Sequence, residues 1–133
     1  MKHLCRTTAN FCISTLLLSA ATAAQASNPV ASNPVAYDKA SIARGAELYQ
    51  QFCTECHGKD GRAQMDVISD ATDLTYPEDY YNGNTPQDIF RSIKEGAGVG
   101  MPPWAMQIKD DNDIWNLVNF IRSLWSDQQR NEF

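Results

Sequence analysis

The chain has 133 residues, with 11 Lys and Arg against 16 Asp and Glu and a formal net charge of −5. That length suits one ordinary domain, and the acidic balance works against a phosphate backbone, so nucleic acid is not an expected partner. Four cysteines are present, two of them three positions apart at Cys53 and Cys56, a pattern that cannot staple a disulfide framework.

The N-terminus opens with Lys2, His3 and Arg6, continues with an apolar or small run over 11–24, and ends this stretch with Ala24-Gln25-Ala26. These three parts predict a secretory signal over 1–26. The apolar run is short for a membrane helix, which needs about 20 such residues, so a cleaved signal is preferred to an uncleaved anchor. No later segment is apolar enough to span a bilayer, and the expected exported protein has no integral membrane segment. Cleavage would remove Cys5 and Cys12, leaving nine basic residues against sixteen acidic ones.

Residues 26–35 read ASNPVASNPV, a tandem of five residues rich in Asn-Pro. Such pairs favour turns and extended chain, and 27–37 is expected to be a flexible linker. The folded unit is predicted over 38–127, with 128–133 as a C-terminal tail. Within it, Ile42, Ala46, Tyr49 and Phe52 recur at helical spacing, with Leu48 beside them, up to Cys53. Gly45 costs this helix about 1 kcal/mol relative to Ala, which a close approach of another element would explain.

From Gly58 to Asn84 the chain is polar and turn-rich, apart from a short helix expected near Glu78–Tyr81. Thr85 as N-cap, Pro86 in the first position, Asp88 in the first turn and Gly96 as stop predict the next helix, with Ile89, Phe90 and Ile93 on its buried face. Gly96–Met106, GAGVGMPPWAM, suits neither helix nor central strand. The last helix starts with acidic residues and buries Ile114, Leu117, Val118, Ile121 and Leu124 or Trp125. The fold class is therefore all-α: three main helices joined by loops longer than compact domains usually carry. A group other than side chains is expected to fill the centre.

Cys53-Thr54-Glu55-Cys56-His57 supplies that group. On one helical turn, positions i, i+3 and i+4 face the same way, so two thiols and one imidazole can meet one flat ligand. CxxCH is the attachment pattern of c-type haem: the thiols form thioethers with the vinyl groups and His57 is the proximal iron ligand. The rivals are weaker. A redox dithiol needs a preceding strand, and a structural zinc site needs four ligands. For the sixth position the candidates are Met65, Met101 and Met106. Met101 stands between GAGVG and Pro102-Pro103, a frame that passes close to a flat ring and fixes the exit. It is the expected distal ligand, with Met106 as runner-up and Met65 ranked last for its closeness to His57.

Together RGAELYQQFCTECHGKDG, GAGVGMPPW and DIWNLVNFIRSL resemble the class I monohaem cytochromes c, over about 41–125. The resemblance implies the class I cytochrome c fold around one covalent haem c, with the iron held by His57 and Met101. It also implies that Gly45 and Tyr49 cross the last helix at Leu117 and Phe120, and that Leu74 and Trp104 pack near the haem. MPPW is similar to the ending found in small cytochromes c that serve membrane-bound oxidases or periplasmic dehydrogenases. Where the family often has Gly-Pro-x-Leu, this chain has ATDL, and the carbonyl of Thr72 is expected to accept the second N–H of His57.

The expected function is that of a periplasmic single-electron carrier between redox proteins: a dehydrogenase, an oxidase or another cytochrome. No catalytic residues are expected. The alternative is a haem protein with a labile Met101, which would bind a small gas or react with peroxide.

Overall fold

A computed structural model describes residues 33–64 and 71–132. The predicted signal, the first part of the linker, Met65 and Phe133 lie outside the described residues. Among these described residues five α-helices follow in order: α1 (Lys39–Phe52), α2 (Thr54–His57), α3 (Pro86–Glu95), α4 (Asp111–Ser123) and α5 (Asp127–Glu132). A single 3₁₀ turn, Pro77–Asp79, is all that forms of the helix expected near 78–81. No β-strand occurs among the described residues.

Local chemistry sets the helix ends. Asp38 and Ser41 form a reciprocal capping box at the start of α1, at 2.8 and 3.2 Å. Thr85 caps α3 by accepting the N–H of Asp88 at 3.2 Å, with Pro86 in the first position. Asp110 caps α4 through the N–H of Asn112 at 2.9 Å.

The helices α1 and α4 cross in close contact. A Cβ on Gly45 would overlap the carbonyl oxygen of Asn116 and stand 2.7 Å from Cβ of Phe120, which is why glycine occupies this point of α1. One turn on, the rings of Tyr49 and Phe120 pack at 4.9 Å. The crossing thus falls on Asn116 and Phe120 of α4. The buried face of α1 is Ser41, Gly45, Leu48 and Tyr49: the expected Leu48 and Tyr49 are on it, whereas Ile42 and Ala46 of the expected stripe are only half-buried. Small residues, not large ones, mark where the backbones approach.

On α4 the fully buried set is Ile114, Leu117, Val118 and Asn119, with Trp115 and Ile121 close behind. Asn119 is the surprise. Its Nδ2 donates to the carbonyls of Val35 and Ala36 at 3.3 and 3.0 Å and to Oγ of Ser41 at 3.1 Å. Its Oδ1 accepts from Nδ2 of Asn33 at 2.8 Å. The flexible-linker expectation is therefore corrected for 33–37: Val35 packs on the core and this stretch is bound to α4 by a satisfied buried amide.

At the other end, the segment read as a tail contributes most of α5, which reaches back to the loop ahead of α3 through Gln129 and Glu78 at 3.3 Å. Trp125, just before α5, donates from Nε1 to the carbonyl of Leu74 and to the Tyr80 hydroxyl, both at 3.1 Å.

Candidate functional site

The cysteine–histidine segment forms where α1 gives way to α2. Cys53 ends α1 and caps α2, and its carbonyl accepts the N–H of Cys56 at 3.2 Å and of His57 at 2.9 Å. This is the single turn the spacing required. Gly58 then stops α2 with φ 73° and ψ 168°, a conformation nearly confined to glycine.

Cys53 and Cys56 are free thiols, both half-buried. Burial, reinforced by the neighbouring Cys56, pushes the Cys53 thiol up to about 12. A redox dithiol needs the opposite shift, toward thiolate. Among the described residues, no three His, Cys, Asp or Glu side chains are grouped to hold a metal ion, as a structural zinc site would need.

The imidazole of His57 is oriented. Its Nδ1–H donates to the carbonyl of Thr72 at 2.9 Å; since a carbonyl only accepts, the proton sits on Nδ1 and Nε2 keeps its lone pair. The orienting bond expected despite the Thr72 departure is present, because the backbone supplies it whatever the side chain. Burial lowers the pKa of His57, with the Thr72 bond opposing. The shift favours the neutral ring, the form in which an imidazole binds a metal.

Met101 comes from the loop after α3. Ala97 and Met101 exchange both backbone hydrogen bonds, at 3.1 and 3.2 Å, closing a small loop with Val99 fully exposed at its tip. The N–H of Trp104 donates to Ile93 of α3 at 3.0 Å and ties the exit down.

These segments face one apolar space, a deep cavity of about 70 Å³ joined to an outer one of about 270 Å³. Cys53, His57, Thr72, Tyr81, Ala97, Met101 and Trp104 line both parts, and Cys56 lines the outer one. Leu74, Ile89, Ile93 and Ile108 close the deep part. Met106 is 80% exposed and lines neither part, so the geometry separates the two methionines that sequence could only rank.

The donor set suits a flat, mainly apolar macrocycle with a central metal: two thiols, an imidazole and a methionine among the lining residues, with apolar side chains around them. Tyr80 and Tyr81, which the sequence reading did not single out, belong to the site. The hydroxyl of Tyr80 donates to the Leu74 carbonyl at 2.7 Å inside the fold, whereas Tyr81 stands 77% exposed at the mouth. Adjacent tyrosines in an irregular loop were the available signal.

Residues 40–121 match the family model described as cytochrome C oxidase, cbb3-type, subunit III. The cbb3-type cytochrome c oxidase subunit CcoP of Rubrivivax gelatinosus is 30% identical over 89 residues, 67% of this chain and 28% of CcoP. The chain thus matches little more than a quarter of that relative. Among solved structures, a chain of the Kuenenia stuttgartiensis reducing HAO-like protein complex Kustc0457/Kustc0458 is 25% identical with a TM-score of 0.62, covering 70% of this chain and 47% of that one. Cytochrome cL from Hyphomicrobium denitrificans shares the fold at 23% identity and a TM-score of 0.56, covering 73% of this chain and 62% of its own.

Proposed function

Since the chain belongs to the family of cbb3-type cytochrome c oxidase subunit III and is a class I cytochrome c with one covalent haem c, we propose that it carries single electrons between redox proteins in the periplasm. In this reading Cys53 and Cys56 would carry the haem through thioethers, and His57 and Met101 would hold its iron. The observation that carries it is that His57 and Met101 line both parts of the cavity together.

When bound, the haem iron supplies one-electron exchange without change of coordination, and a thioether ligand raises its potential relative to a second imidazole. The chain's own residues do the rest. Thr72 holds the His57 ring in one tautomer through its carbonyl. Leu74, Ile89, Ile93 and Ile108 exclude water from the deep cavity, and a dry surround disfavours added charge there. Pro102 and Pro103 restrict the backbone after Met101.

The mouth is the proposed docking face for the partners, a dehydrogenase, an oxidase or another cytochrome. Among the described residues no Asp, Glu, Lys or Arg lines the outer cavity, and Tyr81 and Val99, which line it, are exposed. A small apolar patch suits an encounter that must dissociate after each transfer. Among the described residues, no helix is long and apolar enough to cross a membrane.

Met101→Ala tests the ligand set. The variant should keep covalent haem, show a lower midpoint potential and bind carbon monoxide. A variant with unchanged potential and no carbon monoxide response would remove Met101 from the site.

A further inference from the structure

The loop that presents Met101 is an extension of α3, and its geometry turns on one residue. α3 ends at Glu95, and Gly96 redirects the chain with φ 90° and ψ 166° while its N–H still donates to Ser92 at 3.0 Å. That backbone region is in practice open only to glycine. Space is equally restrictive: a Cβ on Gly96 would lie 2.7 Å from the carbonyl oxygen of Met101, 3.2 Å from N of Pro103 and 3.3 Å from the carbonyl carbon of Pro102. Real Cβ atoms do not approach main chain at 2.7 Å, so the carbonyl would have to move.

Gly96 itself does not line the cavity. The helix behind it is fixed, with Phe90 stacked on Trp115 at 4.2 Å and Lys94 paired to Asp111 at 2.8 Å. The throat of the loop is thus the backbone of Met101 seated against the bare Cα of Gly96.

We propose that Gly96 is the positioning residue for the Met101 sulfur: the glycine-only stop of α3 sets where the Met101 main chain stands, and so where its thioether enters the cavity. The proposal rests on Met101 being the distal ligand. It differs from ordinary helix capping, as Gly58 makes plain. Gly58 has nearly the same φ and ψ directly after His57, but a Cβ there would meet only Oδ1 of Asp60 at 3.3 Å and N of Ala63 at 3.8 Å. One stop leaves its ligand untouched, and the other abuts it.

The test uses holoprotein carrying Gly96→Ala, Met101→Ala or both, read by the methionine–iron charge-transfer band, the midpoint potential and carbon monoxide binding. Gly96→Ala should keep covalent haem, lose most of the band and shift the reduced-to-oxidised ratio at fixed ambient potential at least tenfold toward oxidised, about 59 mV for one electron. The double variant should lie no further from the native protein than Met101→Ala alone. A Gly96→Ala protein with native band and potential, or two effects that add in the double, would overturn the proposal. If Met101→Ala itself changes neither band nor potential, the ligand assignment fails instead, and the proposal with it.

Should Gly96→Ala give no holoprotein, Ala97→Gly carries the test at lower amplitude, since extra backbone freedom raises the cost of closing the loop. Its band should melt at lower temperature than the native one while helix ellipticity is unchanged. Coincident melting of the two bands would equally overturn the idea.

Discussion

The segment Cys53–Gly58 and the loop Gly96–Trp104 face the same cavity, but different forces shape them. The first is one helical turn, whose repeating hydrogen bonds place Cys53, Cys56 and His57 by periodicity alone, with the Thr72 carbonyl as an added tie. The second is irregular and closes through the Ala97–Met101 bridge, hung on α3 by Gly96 and the Trp104–Ile93 bond. A ligand held by covalent neighbours tolerates backbone disturbance. One held only by a loop does not, so under the proposed ligand set the Met101 loop is where potential and ligand access can be tuned by small changes.

Replacing Cys56 by Ser should have the largest effect, because it removes one of the two attachment points on the covalent side. Haem staining after denaturing electrophoresis should fall to a small fraction of the native signal, and folded protein with it. A well-folded haem-free Cys56→Ser protein would break the comparison, since it would mean that the proximal side needs no covalent support.

Asn119→Ala disturbs the scaffold behind both segments. It strands the carbonyl of Val35 and the amide of Asn33 and leaves the Ala36 carbonyl only the Ser41 hydroxyl, and a denaturant titration should show a loss of about 2 kcal/mol. The visible spectrum of the folded protein should not change. An altered charge-transfer band would show that the distal loop feels α4 more than the contacts suggest.

Gly58→Ala sharpens the contrast with Gly96. Strain at this φ and ψ should cost about 1 to 2 kcal/mol, while His57 stays ligated because Thr72 and the cysteines hold it. Loss of His57 ligation, seen as a high-spin spectrum, would remove the asymmetry between the two sides.

Arg44→Ala should be the smallest perturbation. The Arg44 guanidinium holds the Asp113 carboxyl below the usual range, at 2.9 and 2.7 Å from its two oxygens. A depressed carboxyl binds its proton more readily in the unfolded chain, so its stabilisation is present above the ordinary pKa and fades as pH falls through the lowered one. The pair is exposed to solvent and its effect is weak at neutral pH. The expected sign is a shallower loss of stability below pH 3.8, with both ligand segments unchanged; an equally steep acid limb would show that the pair contributes nothing.

Sequence reading served the covalent side better, for the same physical reason. Helical periodicity, the caps Thr85 and Pro86, and the CxxCH spacing are local codes, and α1, α3, α4 and the turn at Cys53–His57 follow from them. What escaped depended on contacts distant in sequence. Asn33–Tyr37 looked like a tether because its partner, Asn119, is a polar residue on an apolar face 86 positions from Asn33. On α1 the reading found Leu48 and Tyr49 but missed Ser41 and Gly45 of the buried face, because those two carry no hydrophobic signal. Met101 could be preferred to Met106 from its flanking residues, but only their placement in space, one on the cavity wall and the other exposed, divides them.

The central proposal is that His57 and Met101 both hold the haem iron. The most direct measurement is the visible spectrum of the exported, matured protein, oxidised and reduced, with and without carbon monoxide. A c-type spectrum with a methionine–iron charge-transfer band and no response to carbon monoxide is the predicted result. A spectrum that shifts with carbon monoxide would mean an open or easily opened distal site, contradicting the carrier reading and favouring gas binding or peroxide chemistry.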